Sequence, residues 1–127
     1  METAKLVIKG SLPGLNEYTS ANRSNRYVGA KMKMEAEQLI GWSIRQQIKD
    51  VSFQDPVYIR FKWIEKNRKR DLDNIAMAKK FIIDALVRHK IIVSDGWSGV
   101  IGFEDVFDVD HEDPRIEVSI YEKGVTQ

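Results

Sequence analysis

The chain has 127 residues, 43% of them apolar, a length and composition that suit one domain with a modest core. It has no cysteine, which excludes disulfide frameworks, thiolate zinc sites and cysteine nucleophiles, and only two histidines, His89 and His111, are left for imidazole chemistry. A formal charge of +1 conceals a division: residues 1–70 carry 14 Lys and Arg against 7 Asp and Glu, whereas residues 71–127 carry 6 against 12.

A basic first half suits a polyanion, and an acidic second half would repel that polyanion unless cations neutralised part of it. Two solvated surfaces mixed in space give the same totals. No apolar run approaches the length of a membrane span, and the opening METAKLVIKG lacks the apolar stretch and cleavage site of a signal peptide. The expectation is a cytoplasmic protein with no membrane partner.

In chain order, Leu6, Val7 and Ile8 read as a first strand, ended by Gly10 and Pro13-Gly14. Residues 15–30 are rich in Asn, Ser, Gly, Arg and Tyr without a regular period and read as a long surface loop. From Met32 to Lys49, Ala36, Leu39, Ile40, Ile44 and Ile48 recur at spacings of three and four, which predicts an amphipathic helix. Val57, Ile59, Phe61 and Trp63 alternate with Tyr58, Arg60 and Lys62 in a period-two strand that runs into a basic stretch, Lys66 to Arg70.

A second helix is predicted from Asp73 to His89, with Ile75, Ala78, Ile82, Ala85 and Leu86 on one side and Asp73 as N-cap. Ser94-Asp95-Gly96 makes a turn. Strands from Val100 to Val106 and Ile116 to Ile120 follow, separated by an acidic connection. The order β-α-β-α-β-β predicts a single α+β domain over residues 1–127, two helices packed on a mixed sheet of about four strands.

The stretch that carries chemistry is Arg70-Asp71-Leu72-Asp73-Asn74. Asp71 and Asp73 stand two apart, so in extended backbone their carboxylates would share a side and repel without a counter-cation. Magnesium, with manganese as a substitute, prefers such hard oxygen ligands and keeps waters that can be ionised or exchanged for phosphate oxygens. The same residues also suit a helix cap and a surface ion pair between Asp71 and Arg70 or Lys69. On a helical wheel Lys80 falls nearly on the face of Asp73, where it could hold a phosphate; a pair with Asp84 is the alternative.

These residues, with Lys80, Asp84-Ala85-Leu86, Ile91-Ile92 and Asp95 in that order, resemble the RusA-type crossover junction endodeoxyribonucleases of phages and prophages. Leu12-Pro13-Gly14-Leu15-Asn16 and Arg115-Ile116-Glu117-Val118 resemble the family's ends, so the likeness spans nearly the whole chain. The resemblance implies a homodimeric, magnesium-dependent hydrolase that resolves four-way Holliday junctions in DNA recombination and repair. Asp71, Asp73 and Asp95 would be its metal-binding and catalytic carboxylates, and Lys80 its catalytic lysine. The spacing from Asp73 is three residues longer than in the family, which leaves Lys79 as the other choice for that lysine. The helix end reads Arg88-His89-Lys90 where the family often has glycine.

Lys66, Arg68, Lys69 and Arg70, beside the acid pair, are expected to contact DNA, as are Arg23, Arg26 and Lys31, which are interleaved with Tyr18 and Tyr27. The acidic residues Glu104, Asp105, Asp108, Asp110, Glu112 and Asp113 are expected to be solvated. Trp42, Trp63 and Trp97 read as core or interface residues, with Trp97 the one of interest beside Asp95. A rival reading is a DNA-binding protein that recognises branched DNA without cutting it.

Overall fold

The computed structural model of the chain describes residues 3–122. Its elements in order are β1 (Ala4–Lys9), α1 (Leu15–Ser24), α2 (Arg26–Gln47), β2 (Val57–Glu65), α3 (Leu72–Ala76), α4 (Lys79–Arg88), β3 (Val100–Val109) and β4 (Arg115–Glu122). The four strands form one mixed sheet in the order β1-β4-β2-β3. β4 runs antiparallel to both β1 and β2, and β3 runs parallel to β2. A parallel neighbour needs a crossover, and α3 and α4 supply it. The α+β class and the mixed four-stranded sheet are therefore as the alternation of patterns predicts.

Period-two burial places the core. Ile59, Phe61 and Trp63 of β2 stand opposite Ile120, Val118 and Ile116 of β4, which face Ala4, Leu6 and Ile8 of β1. All nine are buried, and with Ile40 and Ile44 of α2 and Ile82 and Leu86 of α4 they make one apolar layer between sheet and helices. The opposite sheet face is polar: Lys5 pairs with Glu117, Arg60 with Glu104, and Tyr58 lies beside Tyr121. At the free edge of β1, the Gln47 side chain accepts from Val7 N–H and donates to Val7 C=O, each at 2.8 Å. This occupies the backbone pair that a foreign strand would need.

Three sequence expectations are corrected. Residues 15–30 are helix rather than loop: α1 runs to Ser24, and α2 starts at Arg26, six residues before Met32, and ends at Gln47. Asn25 makes the junction, its side chain accepting from Tyr27 N–H at 2.7 Å. The small residues that resemble loop composition let the two helices approach, for a Cβ at Gly29 would sit 1.8 Å from Asn22 Oδ1.

The second predicted helix is broken. Ala78 N–H bonds to Ile75 C=O and Lys80 N–H to Met77 C=O, a tight turn that separates α3 from α4 and ends the helical-wheel alignment of Asp73 with Lys80. The N-cap of α3 is Asp71, not Asp73. Of the three tryptophans read as core or interface residues, Trp63 is in the core, and Trp42 and Trp97 lie on the surface.

The end of α4 explains how the chain manages without glycine there. Lys90 adopts φ +61°, its N–H bonds to Val87 C=O at 3.0 Å, and Ile91 N–H bonds to Leu86 C=O at 2.9 Å. This is the hydrogen-bond pattern of a glycine-terminated helix, made by a lysine in a left-handed conformation that L residues disfavour. Lys90→Gly should raise unfolding stability by about 1 kcal/mol in a urea or thermal melt, through relief of that conformation.

Candidate metal and nucleic-acid site

The parallel pair β2 and β3 ends on one side of the sheet, where the chain leaves β2 through Lys66 to Arg70 and enters α3. Arg70 does not face outward. Its Nε and Nη2 bond to the two oxygens of Glu65 at 3.0 and 2.9 Å, and its Nη1 bonds to Leu12 C=O at 3.1 Å and Glu17 Oε1 at 3.0 Å. One guanidinium thus ties the last residue of β2 to the β1–α1 loop and to α1. Arg70, expected to contact DNA, spends four donor contacts within the fold and so braces the loop that carries Lys66, Arg68 and Lys69.

The same loop docks a second time. Asn16 N–H bonds to Asn74 Oδ1 at 2.7 Å, and a Cβ on Gly14 would lie 2.6 Å from that oxygen and 2.7 Å from the Asn74 carbonyl. Asn74 is buried. The segments Leu12 to Asn16 and Arg70 to Asn74, read separately in the sequence, are therefore one interlocked unit. Glu65 and Glu17 are the parts of it that sequence patterning missed, and Asn74, the last residue of the motif, is its buried acceptor. The hint available was Glu65, a carboxylate that follows buried Ile64 at the end of an apolar strand.

The clasp sets ionisation. Burial pushes the Glu17 carboxyl up, but its own backbone N–H and the Arg70 guanidinium more than offset this, with a smaller contribution from Asn74, so the group is held below its ordinary value. Glu65 hydrogen bonding foremost holds the Arg70 guanidinium more firmly protonated than usual, against the opposing effect of burial.

Asp71 and Asp73 emerge from this unit into solvent. Asp71 is in extended backbone (φ −70°, ψ 153°) and caps nothing with its side chain, whereas Asp73 lies in the first turn of α3 with Oδ1 accepting from Asn74 N–H at 2.9 Å. The premise that both lie on one extended strand therefore does not hold. Both are exposed, and among the described residues neither has a lysine or arginine within ion-pair distance. Asp71 lines a cavity of about 350 Å³ with Arg68, Leu72, Phe107 and Asp108, at the carboxyl ends of β2 and β3.

Asp95, in the loop after α4, approaches Lys80 at 3.7 Å, and Lys80 also bonds to Asp84 at 3.2 Å. The Asp84 hydrogen bond, then its charge, raise the lysine's pKa, with Asp95 adding less. Lys79 is committed elsewhere: its ammonium is 2.5 Å from Asp105 Oδ2 and 4.2 Å from the centre of the Phe103 ring, while Asp105 Oδ1 accepts from Trp63 Nε1 at 2.8 Å. Of the two neighbouring lysines, Lys80 is the exposed one.

Lys66, Arg68 and Lys69 are exposed with no acidic partner among the described residues, and Lys66 and Lys69 line a second cavity, about 480 Å³, that also touches Arg70. Arg23 and Arg26 are likewise exposed at the α1–α2 junction with no acidic partner among the described residues, whereas Lys31 lies 4.0 Å from Glu35. The acidic residues after β2 are not simply solvated: Glu104, Asp105, Asp110 and Asp113 pair with Arg60, Lys79, Arg115 and Lys9. Asp108 and Glu112 have no cation partner among the described residues.

Asp71, Asp73 and Asp95 supply hard oxygen donors of the kind magnesium takes, but they do not form a closed cage. Among the described residues no three His, Cys, Asp or Glu side chains stand together as a ready metal site. Magnesium characteristically uses one or two carboxylates, several waters and substrate phosphates, so an open donor set fits it better than it fits zinc or calcium. No helix among the described residues is long and apolar enough to cross a membrane. Compared with known proteins, the chain matches no family model and no curated sequence.

Arg70→Met should cost about 2 kcal/mol in a denaturant titration, because it leaves Glu65 and Glu17 partly buried without their cation. Glu17, whose folded pKa is lowered, contributes stability above its ordinary value near 4.5 and loses it as pH falls through the folded value. Glu17→Gln should therefore be less stable than the parent at pH 7 and show a shallower decline between about pH 5 and 3 in acid-titrated melts.

Proposed function

We propose that this chain is a magnesium-dependent, structure-specific DNA endonuclease of the RusA type, resolving four-way junctions in the cytoplasm. The observation that carries this reading is Asp71 and Arg68 lining one cavity, with Asp73 close along the chain and, among the described residues, no cation in ion-pair distance of either aspartate. A site for phosphodiester hydrolysis needs a cation for the phosphate beside a carboxylate that can take a metal, and this cavity offers both.

Magnesium held by Asp71 and Asp73, with Asp95 as the third carboxylate, would supply charge neutralisation and an activated water. The chain's own residues do the rest. Lys66, Arg68 and Lys69 draw the DNA backbone to the loop and fix its register without reading sequence. Arg23 and Arg26 extend the cationic surface from the α1–α2 junction. Lys80 faces solvent within reach of Asp95 and is the lysine suited to balance charge on a leaving oxygen, since Lys79 is held by Asp105. Symmetric incision of a four-way junction needs two such sites, so the working form is a homodimer.

A second reading, junction binding without cleavage, is favoured by one observation. Lys80 neutralises Asp95 at 3.7 Å, so the third carboxylate is not free to join the first two.

The decisive experiment incubates the protein with a synthetic four-way junction, a flap and plain duplex, with and without magnesium. Junction-selective nicking that needs magnesium is expected, and Asp71→Asn should reduce it by at least about 100-fold while junction affinity without metal is kept. Full cleavage by Asp71→Asn would defeat the assignment. Selective binding by the parent protein with no nicking in magnesium or manganese would establish the second reading.

A further inference from the structure

Trp97 is 93% exposed, more than any other large apolar side chain among the described residues. An indole usually loses much of its surface to packing, and a ring left in water on a slack loop would mean little. This loop is not slack. Ser94 Oγ and Ser98 Oγ are 2.8 Å apart across it, and Gly96 N–H bonds to Ser94 Oγ at 3.2 Å. The carbonyl of Gly96 accepts from Gly99 N–H at 3.0 Å and Val100 N–H at 2.9 Å. Gly99 packs so closely that a Cβ there would lie 1.9 Å from the Ser94 carbonyl oxygen. The backbone is thus cross-bonded on both sides of Trp97, and the indole is held out by a braced turn.

Two residues before it, Asp95 faces Lys80 at 3.7 Å, so the loop that carries the ring also carries the lysine end of the candidate site. Its loop neighbours Ser94, Asp95, Gly96, Ser98 and Gly99 are small or polar. Half-exposed Val93 and Ile101 flank the turn on either side, but between them Trp97 is the one exposed large apolar side chain, less than the apolar rim a protein partner would bury. One flat ring on a polar loop matches a different ligand. A nucleobase out of its stack offers a face of similar size, and stacking on it needs no surrounding apolar patch.

We propose that Trp97 is a stacking platform for an unpaired nucleobase of branched DNA, placed beside the Asp95–Lys80 end of the site. The proposal rests on the DNA-processing reading above and adds to it a contact with bases where that reading has contacts with phosphates. Because every base has a π face, the contact selects unpaired over paired DNA and not one sequence over another. It also makes Trp97 a positioning residue, since a base stacked there fixes which phosphate lies against Lys80 and Asp95.

The test uses the full chain with calcium in place of magnesium, a four-way junction carrying 2-aminopurine at the branch point, and the matching duplex. The parent protein should bind the junction more tightly than the duplex and change the 2-aminopurine emission. Trp97→Ala should lose about tenfold in junction affinity and most of the emission change, with duplex affinity and melting temperature unaltered. Trp97→Phe should keep most of both signals, and Trp42→Ala, which removes the other exposed indole, should alter neither. If Trp97→Ala matches the parent in affinity and emission, stacking is refuted while the functional reading stands. If Trp97→Ala instead shifts a dimer to monomer in sedimentation and keeps the emission change, the indole is a protein contact and the proposal is wrong. If the parent shows no preference for branched DNA, the functional reading and the proposal fall together.

Discussion

The guanidinium of Arg70 is the contact on which the rest of the site depends. It satisfies both oxygens of Glu65 and reaches Leu12 and Glu17, so one planar group joins the end of β2, the β1–α1 loop and the first turns of α1. Lysine could not replace it, since a single ammonium cannot present a fork to one carboxylate and still reach two further acceptors. The residue after this anchor is Asp71. The carboxylate therefore leaves the fold from a fixed point, while its own side chain is spared from structural duty.

Topology adds the second constraint. Because β2 and β3 are parallel, their carboxyl ends lie together, and the chain between them must cross over through α3, α4 and the 89–99 loop. Open sheets tend to present ligand sites outside the carboxyl ends of parallel strands, where connecting loops diverge. Asp71, Arg68 and Asp108 meet in a cavity there, with Val109 and Glu65, the last residues of the two strands, in its wall. Asp95 and Lys80 come from the later part of the same crossover.

The charge division of the sequence does not survive as a division of the surface. Arg60 with Glu104, Lys5 with Glu117, Lys9 with Asp113 and Arg88 with Glu37 each join one half of the chain to the other. Exposed pairs of this kind contribute little stability, but they cancel much of the field that separate halves would have produced. Several charges stay uncancelled, and among the described residues Lys66, Arg68, Lys69, Asp71 and Asp73, with Arg23 and Arg26 at the α1–α2 junction, are exposed without an ion-pair partner. Basic and acidic surface thus meet at the β2–α3 connection, though through a handful of residues and not through two halves.

The central strand was legible because burial on one face imposes a period of two, and the buried set Val57, Ile59, Phe61 and Trp63 followed from it. α1 was not legible, since its helix rests on close contact with α2 at Gly29 and on the Asn25 cap, and only Ala21 of its residues is buried. The sequence by itself determined the α+β class, the mixed sheet and the presence of a short acid-rich motif after a basic strand end, all of which depend on local period and composition. Only the tertiary structure decided which charges are available. Arg70 and Lys79 look like neighbours of equal promise in the chain, yet each is spent on a carboxylate far away in sequence or held by packing. Availability is a property of distance in space, and no local pattern encodes it.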